Sequence, residues 1–368
     1  NDAFPAWKIF EKDSVRIAVI GMTAPYLRFW LGEKFGDSCR IETAKNSIKK
    51  IFSEILQQKP DMIVLAIHQA WTESPDPRNV NEVLDIIADF PEIDLVLGGH
   101  THRRFPGHKI SQSTWYVQAG HAAQCLGVVK ADFDKKTKKL KKISSWLEGI
   151  KTDSPICPNL QDEFADLWQN IGSAQKQIVA EAPRKDILSK GRAGVNCQSS
   201  ELICQAIASA VNADCALHGI LSRKNLFAEN AITELDLFEL IPYENNIFTA
   251  ELTKEELAEI ILEQWQNKKY YTYSGIWGIK VKINPAETAA KIIFEKDDPL
   301  AKKERFILAM NSFTAAGSGR YPVLKKILQR KASNTKDSEI SSRDALREYL
   351  KKNQKLQIQT KRWIKIRD

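Results

Sequence analysis

The sequence predicts an α/β protein with parallel strands, organised in two domains. Two apolar runs, residues 61–68 and 93–97, have the length and composition of buried strands. Residues 80–87 between them carry apolar side chains at helical spacing. The three segments therefore predict a strand–helix–strand unit with the right-handed crossover that joins parallel strands. At 368 residues, the chain is long enough for about two domains with separate cores.

The rest of the chain continues to alternate between strand and helix patterns. Strands are predicted at residues 15–21, 112–119, 126–149 and 362–366, and helices at 44–58, 159–180, 199–212 and 345–350. A lysine-rich run, residues 135–142, lies between two strand-like segments, and we interpret it as a solvated hairpin whose lysines protect an edge strand. Nucleic-acid binding is the less favoured interpretation, because no aromatic residues are interleaved with the lysines.

Composition is that of a globular protein with a net charge of +8. No run of 18 or more apolar residues occurs, so the sequence predicts no membrane span. The cysteines show no C-x-x-C spacing and are too sparse for a disulfide framework, so they do not fix the cellular compartment. They are Cys39, Cys125, Cys157, Cys197, Cys204 and Cys215.

Histidines follow the two predicted parallel strands. His68 ends the first apolar run, and residues 98–102, Gly-Gly-His-Thr-His, follow the second. Because the carboxyl ends of parallel strands share one edge of a sheet, we expect His68, His100 and His102 to converge there. Imidazole is a common zinc ligand, so a metal site is predicted, the alternative being polar loop histidines. Two other histidines, which have no ligand-like spacing, are interpreted as ordinary polar residues: His108 and His121.

These features resemble a known family. The strand that ends in His68 and the G-G-H-T-H block resemble the second half of a calcineurin-like metallophosphoesterase domain. The rest of the chain resembles the C-terminal domain of the 5'-nucleotidase family, which includes UDP-sugar hydrolases and 2',3'-cyclic nucleotide phosphodiesterases. The resemblance implies the C-terminal half of a four-layer metallophosphoesterase domain in residues 1–150, a connecting helix in 151–181, and a substrate-binding α/β domain in 182–368.

The resemblance also implies a pair of divalent ions, zinc, manganese or similar, that activate a bridging water and stabilise the leaving oxygen. His68 and His100 would be ligands of one ion and His102 a ligand of the other. The remaining ligands belong to Asp-x-His, bridging Asp and Asn-His blocks, none of which occurs in this sequence. We therefore expect a missing N-terminal segment to supply them, together with the catalytic histidine, so that no catalytic residue is assigned in this chain.

Phosphate contacts are expected from arginines of the second domain. Arg223 aligns with the arginine of a family turn, N-G-G-G-x-R, whose guanidinium binds phosphate. Arg192 is a second candidate for phosphate binding. Only Gly219 remains of the glycines in that turn, and His218 replaces its asparagine. The alternative role for Arg223 is a surface ion pair.

The nucleoside pocket is expected from two aromatic blocks. Tyr243, in a block resembling P-F-x-N, and Phe313, in a block resembling F-x-A-x-G-G-D-G-Y-P, would sandwich the base, although each is otherwise a candidate core aromatic. Asn245 would read the base edge, and a turn at Ser274 and Gly275 would line the pocket. The second block departs from the pattern, because Gly319 replaces its aspartate and Arg320 the next glycine. Adenosine monophosphate is therefore not assumed as substrate.

The favoured function is metal-dependent hydrolysis of nucleotide phosphate esters, in nucleotide catabolism, with nucleotide as partner and a periplasmic or extracellular location implied by the resemblance. The alternatives are a 2',3'-cyclic nucleotide 2'-phosphodiesterase/3'-nucleotidase, a catalytically incomplete nucleotide-binding fragment, and a surface adhesion domain.

Overall fold

The structure is a computed structural model that describes residues 4–25, 27, 40–74, 80–151, 153–155, 157–181, 197–220, 231–269, 273–295, 297–353 and 362–365. These residues divide into two units, the first ending at Cys157 and the second beginning at Pro158. Among the described residues, no helix has the length and apolarity needed to cross a bilayer. The domain limits expected from the resemblance remain a prediction.

The first unit is built on a mixed sheet of six strands with helices between them. In chain order its elements are β1 (Trp7–Lys12), β2 (Val15–Met22), α1 (Ala44–Gln57), β3 (Met62–Ile67), α2 (Val83–Asp89), β4 (Leu95–Leu97), β5 (Arg104–Lys109), β6 (Trp115–Ala119), β7 (Cys125–Phe133) and β8 (Leu140–Gly149). The sheet order is β1-β2-β3-β4-β6-β5. Strands β2, β3, β4 and β6 are parallel, which confirms the predicted strand–helix–strand unit.

Both faces of this sheet are covered. The apolar stripe of α1 packs with α2 on one face, where Ile48, Ile55 and Ile86 are fully buried. Apolar side chains of the β7–β8 hairpin, among them Phe133 and Leu147, pack on the other face. Two-sided cover explains why β3 reads as a continuous apolar run rather than an alternating one.

The lysine-rich run forms the turn between β7 and β8, which confirms the predicted hairpin. Asp134 organises the turn: its carboxylate accepts the backbone N–H groups of Lys136 and Thr137 at 2.9 and 2.8 Å. Lys141 pairs with the same carboxylate at 2.7 Å. Its hydrogen bond and these N–H groups hold the pKa of Asp134 well below its usual range.

The second unit combines a five-stranded mixed sheet with helices and small sheets. Its elements are α3 (Pro158–Glu163), α4 (Ala165–Gln175), β9 (Ile178–Glu181), α5 (Gln198–Val211), β10 (Cys215–Gly219), β11 (Ala231–Thr233), α6 (Glu234–Leu240), β12 (Asn246–Thr253), α7 (Lys254–Gln266), β13 (Ser274–Trp277), β14 (Lys280–Ile283), β15 (Ala290–Ile293), β16 (Arg305–Asn311), α8 (Ser312–Ala315), α9 (Pro322–Leu328), β17 (Lys336–Ser341), α10 (Ser342–Lys352) and β18 (Trp363–Lys365). The central sheet has the order β13-β10-β16-β12-β17.

Helix α5 contributes to one core of this unit, with Leu202, Ile203 and Ile207, and α7 contributes to another, with Leu257 and Ile260. The two cores bury both faces of the central sheet, and this packing fixes the positions of the ends of β10, β12 and β16. The candidate nucleoside residues lie next to these strand ends.

The predicted helix at 159–180 is wrong in its continuity. It is two helices, α3 and α4, separated at Phe164, whose backbone angles of −105° and 13° leave the helical region. Residues 178–181 then form β9, because they pair with β11. No residue of α3 or α4 is buried, so the apolar spacing did not mark a core helix.

Candidate functional site

The predicted histidine site lies at the carboxyl edge of the first sheet. His68 follows β3 directly, and its backbone N–H donates to the Met22 carbonyl at the end of β2 at 3.1 Å. Gly99, just after β4, donates its N–H to the Gln69 carbonyl at 2.9 Å. The ends of three parallel strands are therefore tied together by backbone hydrogen bonds.

The glycine pair makes this close approach possible. A Cβ on Gly98 would overlap the ring and hydroxyl of Tyr116. A Cβ on Gly99 would lie 3.3 Å from His68 Nδ1. Glycine at both positions therefore lets the loop after β4 lie against the end of β3.

The structure brings the site histidines together as two pairs. The rings of His68 and His100 have centroids 5.6 Å apart and planes inclined at 67°. His102 stacks on His121, with centroids 4.9 Å apart and planes inclined at 27°. His100 and His102 both have left-handed backbones, with φ of 70° and 57°, a conformation that costs energy in a non-glycine residue and concentrates at functional sites.

Thr101, between these two histidines, anchors the loop. Its hydroxyl lies 3.2 and 3.1 Å from the two amide heavy atoms of Gln118, which is buried on β6. The Tyr116 hydroxyl donates to the same Gln118 oxygen at 2.6 Å. His100 and His102, which lie on either side of Thr101 in the sequence, belong to different ring pairs.

A buried polar network of Gln69 and Glu82 lies next to the histidine edge of the first sheet. Gln69 donates to Glu82 at 3.1 Å, and the Glu82 backbone N–H donates back to the Gln69 side chain at 2.6 Å. The Glu82 carboxylate also accepts the backbone N–H of Ala44 at 2.9 Å, at the first turn of α1. A carboxylate is favourable there because of the helix dipole and the unpaired N–H groups. No motif in the sequence marked these residues.

The spacing of His68 and His100 suits two ligands of one divalent transition-metal ion, but the described residues assemble no third ligand around it. Two imidazoles bound to one tetrahedral zinc, with Zn–N distances of about 2.0–2.1 Å, place their ring centroids roughly 5 Å apart. The separation of 5.6 Å between His68 and His100 is close to that value. Among the described residues, no group of three or more His, Cys, Asp or Glu side chains is arranged to hold an ion.

Partial burial, followed by the neighbouring His121 and His68, lowers the pKa of His102 below its ordinary value of 6.5. The ring is therefore neutral at physiological pH, and the neutral imidazole is the form that binds metal.

The predicted nucleoside residues lie at one edge of the second unit's sheet. Strands β12 and β16 are antiparallel with Ile247 opposite Asn311, so the segment before β12 and the segment after β16 meet. The Ser312 hydroxyl donates to the Asn245 side-chain oxygen at 3.2 Å across this edge. Tyr243 is 48% exposed and Phe313 is half-buried, so both rings retain accessible surface.

His218 extends this edge by one strand. It is buried at the end of β10; its Nδ1 lies 2.6 Å from the Gly219 carbonyl and its Nε2 lies 3.2 Å from the Asn311 side-chain nitrogen. Since a carbonyl only accepts and an amide nitrogen only donates, the ring is the neutral Nδ1–H tautomer. Burial lowers the pKa of His218 to about 4.

The turn predicted at Ser274 and Gly275 is wrong, because these residues begin β13 and pair with Gly219 and His218. Gly275 is buried against α5, where its N–H donates to the Ser200 hydroxyl at 3.0 Å. A Cβ on Gly275 would collide with the Ser200 side chain. Close packing of strand and helix therefore accounts for this glycine, and its substrate-binding role remains a prediction.

The departures in the second aromatic block fall in a tight loop. Gly317, Gly319 and Arg320 all have left-handed backbones, with φ of 74°, 78° and 77°. Arg320 thus keeps the conformation that suits the glycine which the resemblance expects there. Tyr321 next to it is buried and donates its hydroxyl to Gln264 at 3.0 Å.

Arg192 and Arg223 lie outside the described residues, so their phosphate contacts remain predictions. Sequence reasoning missed Asn311, which links His218 to the helix carrying Phe313 by accepting the Thr314 N–H at 2.8 Å. An asparagine before a short helix is an N-cap signal that would have identified it.

Comparison with known proteins agrees with this architecture. Residues 173–326 match the family model of the 5'-nucleotidase C-terminal domain. The metallophosphoesterase YunD of Bacillus subtilis, described as uncharacterized, is 24% identical over 274 residues, which cover 71% of this chain and 54% of YunD. A 5'-nucleotidase of Vibrio vulnificus is 21% identical over 406 residues, covering 96% of this chain and 70% of that protein. The chain thus spans about half the length of YunD.

A crystal structure from Staphylococcus aureus, assigned as a 5'-nucleotidase, superposes with a TM-score of 0.77 at 18% identity, covering 98% of this chain and 74% of that one. The fold is therefore α/β throughout, of the type in which metallophosphoesterase elements precede a 5'-nucleotidase C-terminal domain. The second unit thus contains a segment, residues 173–326, that matches the 5'-nucleotidase C-terminal domain, and the chain as a whole is similar to 5'-nucleotidases.

Proposed function

We propose that this chain forms part of a metal-dependent phosphoesterase that hydrolyses nucleotides of the 5'-nucleotidase type. The observation that carries the proposal is the pairing of His68 and His100 at the carboxyl edge of the first unit, in a chain whose second unit matches a 5'-nucleotidase C-terminal domain. Metal-ligating side chains at such an edge are the usual arrangement in α/β proteins.

His68 and His100 would hold one divalent ion and His102 a second. When bound, such ions act as Lewis acids and lower the pKa of a coordinated water to about 7. The contribution of this chain is to present neutral imidazoles on a loop whose position is fixed by Gly98 and Gly99.

Tyr243 and Phe313 would stack on the two faces of the nucleobase, and Asn245 would read its edge. Their support is the shared sheet edge and the accessible surface of both rings. Stacking contributes about 1–3 kcal/mol per base–aromatic contact and tolerates different bases. Arg223 and Arg192 would bind the phosphate. By family resemblance, we place the protein in the periplasm or outside the cell.

The test is phosphate release from uridine 5'-monophosphate by the protein, purified from its native source and supplied with zinc or manganese, compared with hydrolysis of 2',3'-cyclic uridine phosphate. His100→Ala should abolish release, whereas His108→Ala, an exposed histidine outside the pairs, should not. Faster turnover of the cyclic ester would favour the cyclic phosphodiesterase instead.

Nucleoside binding, measured by calorimetry, distinguishes a protein that binds nucleotides without hydrolysing them from one that binds no nucleotide. Tyr243→Ala or Phe313→Ala should weaken uridine binding by one to two orders of magnitude, about 1–3 kcal/mol. The matched control is Phe238→Ala, which removes another half-exposed aromatic of the same unit. Binding without phosphate release would support a nucleotide-binding fragment. Equal affinity in all three variants would refute the stacking assignment.

A further inference from the structure

We propose that His218 and Asn311 are positioning residues for nucleoside binding, because the hydrogen bond between them fixes helix α8, which carries Phe313. The inference deepens the proposed function and rests on it for the stacking role of Phe313. Neither residue touches the nucleoside in this proposal. Both act through the position of the Phe313 ring.

Helix α8 cannot hold its own position. It has four residues, Ser312–Ala315, and isolated helices of that length are not stable in water. Its N-cap is Asn311, whose side-chain oxygen accepts the Thr314 N–H at 2.8 Å. Phe313 is half-buried, between the buried residues Ser312 and Thr314. The cap hydrogen bond therefore fixes the turn from which the Phe313 ring projects.

One backbone group determines the direction of every hydrogen bond around Asn311. The Thr314 N–H can only donate, so the amide oxygen of Asn311 faces it and the amide nitrogen faces His218 Nε2, 3.2 Å away. Nε2 must then accept, which places the ring proton on Nδ1, 2.6 Å from the Gly219 carbonyl. The three hydrogen bonds form one chain from α8 to β10, in which each donor meets an acceptor.

Register and burial make this chain of hydrogen bonds specific. Strands β10 and β16 are parallel neighbours with Leu217 opposite Met310, so continuation of the register sets His218 beside Asn311. The two residues are only 4% and 7% exposed. Because water has little access, loss of one side chain would leave a buried polar atom of the other without a partner. The N-cap of α8 is thus tied to the central sheet through His218.

A separate hydrogen bond ties α8 to the segment that carries the second stacking ring. The Ser312 hydroxyl donates to the Asn245 side-chain oxygen at 3.2 Å, two residues after Tyr243 in the sequence. The placement of Phe313 relative to this segment therefore depends on the cap at Asn311. Loosening the cap should weaken stacking while both rings are still present, because a ring that is not held in place loses more freedom on binding.

The experiment is uridine binding to the full protein, measured by calorimetry, with urea unfolding of each variant to confirm that it folds. Asn311→Ala and His218→Leu should each weaken uridine binding about tenfold. His218→Gln should restore most of the affinity, since its amide oxygen can accept from Asn311 as Nε2 does. If His218→Leu does not fold, Asn311→Ala decides the outcome. Thr253→Ala is the matched control, because it removes the N-cap of α7 at the opposite end of β12 and should not change the affinity.

A double-mutant cycle with Phe313→Ala separates positioning from a general loss of stability. If Asn311 acts through the Phe313 ring, the combined variant should bind uridine no more than about threefold more weakly than Phe313→Ala alone. Full additivity of the two effects would overturn the inference, as would unchanged affinity in Asn311→Ala.

Failure of the proposed function gives a different result. Unchanged affinity in Phe313→Ala, or no uridine binding by the unmodified protein, would refute the stacking assignment and this inference with it. The expected binding effects without phosphate release would refute hydrolysis and leave the positioning role in place.

Discussion

Acidification should destabilise the second unit through His218. In the folded chain this ring is buried and neutral, donating from Nδ1–H to the Gly219 carbonyl and accepting from Asn311. Protonation would place an extra donor against the amide nitrogen of Asn311 and a charge in an apolar interior. His218 therefore binds a proton less readily in the folded state than in the unfolded chain.

The magnitude follows from the two pKa values. Burial lowers the pKa of His218 from an ordinary value of 6.5 to about 4 in the folded state. Because the unfolded chain binds the proton first, this contribution to stability is fully present above pH 6.5 and declines as the pH falls toward 4. Proton linkage gives a loss of about 2 kcal/mol between pH 8 and pH 5, and about 3 kcal/mol by pH 4.

The assay is urea unfolding between pH 8 and pH 5, with hydrogen exchange on peptides from β10 and β16 to identify the transition of the second unit. His218→Gln is the matched control, since its amide can donate to Gly219 and accept from Asn311 but does not titrate. Other groups titrate in both proteins, so the difference between them isolates His218. Parallel stability curves for the two proteins would refute the reasoning.

Two further predictions concern the histidine edge of the first unit. Gly98→Ala should destabilise the fold by about 1–3 kcal/mol, because its Cβ would overlap Tyr116, whereas Gly149→Ala, with open space around it, should not. Urea midpoints measure both, and equal midpoints would contradict the packing argument. Glu82→Gln should cost about 1–2 kcal/mol by weakening a buried helix cap, measured by exchange of the α1 amides. Glu54→Gln, an exposed carboxylate on α1 itself, is its control, and equal exchange rates in the two variants would show that the charge of Glu82 is not needed.

Most of the secondary structure was predictable because it depends on local patterns. The apolar run ending at His68, the amphipathic spacing of α1 and the lysine-rich turn each encode one element through side-chain periodicity or solvation. Predictions from local sequence patterns were wrong where pairing with a distant strand determined the secondary structure. Residues 178–181 became a strand because β11 lies beside them, and Ser274 and Gly275 joined a strand because β10 pairs with them.

For the candidate site, the sequence by itself determined which residue types stand at the strand ends: histidines and glycines after β3 and β4, aromatic and amide side chains around β12 and β16. The tertiary structure decided which of them meet. The pairing of His102 with His121 depends on the register of β5 and β6, and the link between His218 and Asn311 spans 93 residues. Contacts of this kind arise from sheet register and burial, which couple distant segments and leave no periodic trace in either one.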